Sequence, residues 1–200
     1  LRWTAGLSLM AFVFGGLLGL ALLVMRLLPN KAAQRGVAVY VQLFQGTPLL
    51  MQLFLTYFGL AMLGIETSPL AAACLCLTLY SAAYLCDIWR GCVESVPKGQ
   101  WEASSSLALS FTEQLRHVIL PQAMRLGIAP TAGFGVQIVK ATALTSVIGF
   151  VEVTKAGQLI ANATFEPFLI YGCVAALYFA LCFPLSLWSQ RLERRMRPQA

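Results

Sequence analysis

The chain is poor in charge. Asp, Glu, Lys and Arg make up 11% of its 200 residues, against about 25% in an average soluble domain. With 58% hydrophobic residues and a mean hydropathy of +0.74, this deficit excludes an ordinary water-facing surface and points to a membrane protein of one domain. There is a single histidine, His117, and no CxxC pair among Cys74, Cys76, Cys86, Cys92, Cys173 and Cys182. Neither a zinc site nor a disulfide framework is supported, and the cysteines read as small apolar residues in packed helices. No G-x-x-x-x-G-K-[ST] sequence is present, so the chain has no phosphate-binding loop with which to hydrolyse ATP. His117 has no orienting acid or pocket in the pattern around it, and no catalytic constellation is evident. The chain is expected to be neither an enzyme nor a metal protein. Its net charge of +6 raises nucleic acid as a partner. The basic residues, however, fall in the gaps between apolar runs instead of clustering on one soluble face, which argues against it.

What is present is a series of apolar runs, each long enough to matter in a bilayer. About 20 apolar residues span the hydrocarbon core. The runs predict five transmembrane helices at about 5–25, 48–64, 69–88, 126–151 and 167–188, with prolines at or near the start of the second, third and fifth. The first run is too long for the apolar core of a signal peptide, and the chain begins at Leu1 without Met, as a fragment would. Gly15 and Gly19 form a GxxxG pair, and Gly127, Thr131 and Gly135 form a small-residue stripe. Both patterns suit close helix packing. Eleven of the 14 Lys and Arg residues fall on one side of this topology. The positive-inside rule then predicts an outside N-terminus and a cytoplasmic C-terminal tail, RLERRMR (Arg191 to Arg197).

Between the third and fourth spans lies a polar insert at about 95–122. Ser95-Val96-Pro97 reads as a helix start. Ser110 and Glu113 have the spacing of a capping box, which opens a second helix stopped or kinked near Pro121. Two short helices meeting near Leu109-Ser110 are expected. Leu107, Leu109, Phe111 and Leu115 would oppose Glu102, Ser104, Ser105, Glu113 and Arg116. From the residues alone three locations fit: the lipid surface, an ordinary ordered loop, or the groove of a partner protein.

Lys140 lies inside the fourth span. Fifteen residues beyond Arg125, it is about 22 Å along the helix in a core about 30 Å thick, past the midplane. Its stem could snorkel outward, its charge could pair structurally, or it could line a pathway with Gln137, Thr142, Thr145 and Ser146. Glu152 and Glu166 are expected on the outer side, where they could meet a binding protein or simply be solvated.

Several stretches resemble a known family in order along the chain. Glu102-Ala103-Ser104, Ala108 and Val118-Ile119-Leu120-Pro121 are similar to the E-A-A…G…I-x-L-P loop of ABC-importer permeases. "YVQLFQGTPLLMQLFLTYFGL" (Tyr40 to Leu60), "AAYLCDIWRGCVESVPKGQWEA" (Ala82 to Ala103) and "VKATALTSVIGFVEV" (Val139 to Val153) resemble segments of polar-amino-acid permeases of the histidine-permease type. Gln45 stands where that pattern has Arg, Asp87 where it has Glu, Ala143 where it has Ser, and Ser104 and Ala108 where the loop has Ala and Gly. A positive φ at Ala108 would be strained. The resemblance implies the all-α integral-membrane fold of a type I ABC importer permease and an amino-acid import function. It also implies an ATPase-coupling loop carried by Gly99, Glu102, Ala103, Ser104, Ala108, Leu120 and Pro121. The implied partners are a dimer of ATP-binding subunits that use ATP and Mg, a second permease subunit, and a periplasmic or extracellular amino-acid-binding protein. The implied location is the bacterial inner membrane. A permease for another small solute such as an opine, or a stand-alone secondary carrier, are the other readings. The five predicted spans do not divide into the inverted repeats usual in carriers.

Overall fold

Long apolar runs with few interior breakers can only satisfy their backbone groups within the segment. The computed structural model, which describes residues 1–196, is accordingly helical, with no strand among the described residues. Eight helical segments follow one another: α1 Arg2–Leu27, α2 Lys31–Gly46, α3 Leu49–Met62, α4 Pro69–Glu94, α5 Lys98–Ser106, α6 Phe111–Ile148, α7 Val153–Thr164 and α8 Pro167–Met196. Four of them (α1, α4, α6 and α8) are long and apolar enough to cross a membrane, and the pair α2–α3 makes a fifth span if counted as one. Arg197, the last residue of the basic tail, lies outside the described residues.

The centre is the contact of α1 with α4. A side chain at Gly15 would collide with Ser81, and one at Gly19 would sit 3.0 Å from the Ala82 carbonyl, so the GxxxG pair is where the two backbones meet. The Gly127–Gly135 stripe faces the same centre. Gly127 looks onto Trp89 and Cys92, Gly135 onto Phe12, and Trp89 Nε1 donates to Thr131 Oγ1 at 2.8 Å. Leu7, Ala11, Leu77, Phe134 and Ile138 fill the core between them, with Phe134 stacked on Tyr84 at 5.4 Å.

The structure corrects four boundaries. The span expected at 48–64 is half of a bent pair. α2 and α3 meet at 104° across Thr47-Pro48, where proline cannot donate to the helix ladder. The buried Gln52 amide fastens the bend by donating to Phe44 O, Thr47 O and Thr47 Oγ1 at 2.8–3.0 Å. At the insert, Ser95 does not cap α5: its hydroxyl turns back to Cys92 O at 2.8 Å, and Pro97 is the cap residue. Pro121 does not stop the second insert helix. A π turn at Gln114–Ile119 precedes it and leaves Pro121 in the first turn of the following α-helical segment, where a missing N–H costs little. The fourth span therefore runs unbroken from Phe111, through Pro130, to Ile148, where a 3₁₀ segment ends at Gly149 (φ 87°). Finally, α7 occupies what reads as a loop in the sequence. It buries Val153, Gly157 and Ala161 at four-residue spacing, and Gly157 lies directly against Val174 of α8.

Candidate functional site

The insert is built as two stops back to back. At the end of α5 the Leu109 N–H bonds Ser104 O at 3.4 Å and the Ala108 N–H bonds Ser105 O at 2.9 Å. This is the Schellman pattern, whose C′ residue takes the left-handed conformation. That residue is Ala108, with φ 55°, where glycine is usual. The left-handed backbone costs an alanine about 1–2 kcal/mol. Two residues later Ser110 opens the capping box. The Glu113 carboxylate accepts from the Ser110 N–H at 2.8 Å and its hydroxyl at 2.6 Å, which holds the Glu113 carboxyl below the usual carboxylate range. Gln114 closes the corner by donating to Leu109 O at 2.7 Å and Ser105 Oγ at 3.2 Å. The turn is thereby fixed on both sides.

The faces of the insert differ from the expected split. Ser104 is buried, 2% exposed, with its hydroxyl on Trp101 O at 2.9 Å, while Leu107 is 74% exposed. Behind the insert, Trp101, Leu115 and Leu120 pack on Val93, Val96 and Ile119, which anchors α5 to the ends of α4 and α6. Gly99, Glu102, Ala103, Ala108, Arg116, His117 and Pro121 are exposed. Phe111 is half exposed and stacks on Trp101 at 6.2 Å. The result is a fixed outward surface of small, apolar and mixed-charge side chains, Glu102 and Glu113 beside Arg116 and His117.

The second candidate region divides. Gln137 and Lys140 are exposed and share a helix face. Thr142 and Thr145 are fully buried. Their hydroxyls donate to Val139 O and Thr142 O at 2.7 Å, and that of the half-buried Ser146 donates to Ala143 O at 2.7 Å. These three hydroxyls serve the 3₁₀ turn in which they sit. The structure therefore brings Gln137 and Lys140 together and sets the hydroxyl group apart from them.

Comparison with known proteins decides the family. Residues 7–198 match the model for the inner membrane component of binding-protein-dependent transport systems. This chain belongs to that family. The permease, as it can now be called, is 33% identical to the probable amino-acid ABC transporter permease protein YckA of Bacillus subtilis, over 96% of this chain and 85% of the relative. It is 34% identical to the glutamine transport system permease protein GlnP of Escherichia coli, over 98% and 90%. Among solved structures, the crystal structure of an amino acid ABC transporter with histidines superposes with a TM-score of 0.94 at 32% identity, covering 98% of this chain and 91% of that one. An inward-facing structure of the MetNI methionine ABC transporter, 20% identical, shares the fold with a TM-score of 0.81 over 98% and 94%. The chain is thus a membrane-spanning transport subunit, one component of a larger binding-protein-dependent assembly.

Two features of the permease escape a reading of its sequence. Glu152 is not solvated. It is 3% exposed, caps α7 by accepting the Lys155 N–H at 2.9 Å, and accepts the Tyr178 hydroxyl at 2.7 Å. The signal was there in the spacing of Val153, Gly157 and Ala161 just after it, a buried helix face needing a cap. The second feature is a charged cluster at the insert end of α4. Asp87 pairs with Arg90 at 3.0 Å and Arg26 at 3.8 Å, and Arg90 pairs with Glu94. Gln45 reaches Asp87 at 3.5 Å. Two departures from the family pattern, at 45 and 87, thus meet in space: a Gln–Asp contact stands where that pattern places Arg and Glu.

Proposed function

We propose that this permease forms the translocation pathway of an ATP-driven importer of polar amino acids in the bacterial inner membrane, with the N-terminus outside and the insert and C-terminal tail in the cytoplasm. The observation that carries the reading is the doubly capped turn at Ala108-Ser110, which holds Glu102, Ala103 and Leu107 outward on a fixed frame, exposed among the described residues, with Phe111 half exposed beside them against Trp101. An amphipathic helix of this kind suits a groove on another protein, and a stiff connection to α4 and α6 transmits movement better than a slack one. In this assembly two permease subunits meet two ATP-binding subunits, which hold ATP and Mg, and a binding protein delivers substrate from outside. Closure of the ATPases pushes the insert, and the membrane helices alternate between outward and inward access. Gln137 and Lys140 face the pathway, while Thr142, Thr145 and Ser146 shape the turn beside them. The amino-acid assignment draws on the named relatives.

The test is charge reversal at Glu102, an exposed residue outside the apolar core. Glu102→Lys should leave the amount of permease in the membrane unchanged. Co-purification of the ATPase and amino-acid uptake should each fall at least roughly tenfold, equivalent to about 1.4 kcal/mol of lost coupling. Undiminished uptake and co-purification would remove the docking role from this face of the insert.

A further inference from the structure

Between α1, α4, α6 and α8 lies an apolar groove of about 630 Å³, within the size range of small-molecule sites. The transport reading makes no use of it. It runs along α1 from Phe12 to Leu23 and, antiparallel, along α6 from Ala132 to Leu120. At 1.5 Å per residue this is about 17 Å, parallel to the helices and so to the direction in which acyl chains lie. Trp89 and Trp188 both line it. It occupies the half of the bundle that carries the insert.

Cations stand at the insert end of this groove. The Ser189 hydroxyl donates to Ala129 O at 3.1 Å, which sets the register of α8 against α6. Arg191 follows Trp188 by three residues and so lies near the same face, one turn closer to the insert side. Arg125, next to the groove residue Met124, is at a matching level on α6. Both arginines are exposed and lack a carboxylate partner among the described ion pairs. Glu193, five residues after Trp188, is turned roughly 140° away at 100° per residue. An apolar slot along the membrane normal, capped by two free guanidinium groups, matches a phospholipid with an anionic headgroup.

We propose that this groove binds one acyl chain of an anionic phospholipid whose phosphate is held by Arg125 and Arg191. The choice of the cytoplasmic leaflet rests on the orientation given above; the site itself does not.

The full chain would be reconstituted in phosphatidylcholine vesicles carrying a minor fraction of either phosphatidylglycerol or phosphatidylcholine with brominated chains, which quench nearby tryptophans. Brominated phosphatidylglycerol should quench several-fold more than brominated phosphatidylcholine, with Trp188→Phe losing a large part of the difference. In the double variant Arg125→Gln, Arg191→Gln, phosphatidylglycerol should quench no more than phosphatidylcholine. Unchanged quenching by phosphatidylcholine in that variant shows that the groove is intact, and Arg125→Lys, Arg191→Lys should keep the preference. Equal quenching by the two lipids in the original chain, or a preference that survives the double Gln variant, would overturn the site. So would weak quenching by both lipids with Ile128→Cys cross-linking between copies, which would show a second copy covering the groove. None of these readouts involves an ATPase, so failure here leaves the coupling role standing, and failure of Glu102→Lys leaves this site standing.

Discussion

The insert and the far end of α6 are both polar islands in an apolar chain. In the insert, Glu102, Arg116 and His117 face outward and the hydrogen bonds that matter run between caps: Ser110 with Glu113, Gln114 with Leu109. At the far end, Thr142, Thr145 and Glu152 are buried, and each polar group is spent on a turn, a helix end or a tyrosine. Polarity is therefore used at one end to present a surface and at the other to close an interior. Substituting polar residues should have its main effect on assembly at the insert and on stability at the far end.

The largest stability effect is expected at Glu152. Glu152→Ala removes the cap of α7, worth about 1 kcal/mol, and takes away the acceptor of the half-buried Tyr178 hydroxyl, which is left with only the longer 3.3 Å contact from Thr154 Oγ1, a loss of about 1–3 kcal/mol. Thermal unfolding of the purified permease should register a loss of about 2–4 kcal/mol. A loss below about 0.5 kcal/mol would mean that Glu152 is not the interior group the structure makes it. Within the same region, Lys140 should behave differently. Lys140→Ala and Gln137→Ala, at exposed positions, should change stability by no more than about 0.5 kcal/mol while reducing uptake. Thr142→Val and Thr145→Val should cost about 1 kcal/mol each and leave uptake per folded molecule unchanged. The reverse pattern would place the pathway on the hydroxyl side.

At the insert the informative change is a gain. Ala108→Gly relieves the left-handed backbone at the Schellman turn and should stabilise the loop by about 1 kcal/mol, read as slower proteolysis of the insert. An accompanying rise in coupled ATPase activity would show that strain at Ala108 weakens transmission. No change in either would mean that the partner subunit, and not the chain's own caps, sets the turn.

Much of this arrangement is legible in the sequence because it depends on local rules. Four membrane-length helices follow from apolar runs, a close helix contact at Gly15 and Gly19 from their spacing (though not that α4 makes it), and the capping box from Ser110 and Glu113. That Ala108 would be strained if its position needed a positive φ follows from the alanine standing where the resembling loop has glycine; that it does take one, φ 55°, is seen only in the structure. What escapes is set by tertiary partners. Pro48 signals a helix start, but the 104° bend needs Gln52 to reach Phe44 and Thr47. Pro121 signals a stop, but a π turn absorbs it. Thr142 and Thr145 look available because hydroxyls in an apolar helix suggest a polar cavity, yet such hydroxyls also bond the carbonyl three or four residues back. α7 is amphipathic and too short to register as a span. A linear pattern reports that a residue is polar; which way it turns is decided by the helix beside it.

The smallest expected effect tests whether the insert's rigidity is its own. The folded-state pKa of Glu113 is lowered by its bonds to Ser110, the hydroxyl first and the backbone N–H second. The carboxylate form is favoured by folding, so the capping box contributes fully above the ordinary carboxylate pKa, about 4.3. That contribution is lost as pH falls through the lower folded value. Trp101 reports on the box because it stacks on Phe111, the first residue after the Ser110 cap. In a chain whose other tryptophans are phenylalanine, Trp101 fluorescence should show no Glu113 step above the ordinary carboxylate pKa, about 4.3, then shift as pH falls through the lowered folded value. Glu113→Gln, which can still accept from Ser110 but cannot titrate, should abolish that acid step. If the step persists in Glu113→Gln, another carboxylate, with exposed Glu102 the nearest in the loop, governs the turn. The frame that presents the insert would then rest on packing behind Trp101 instead of on its caps.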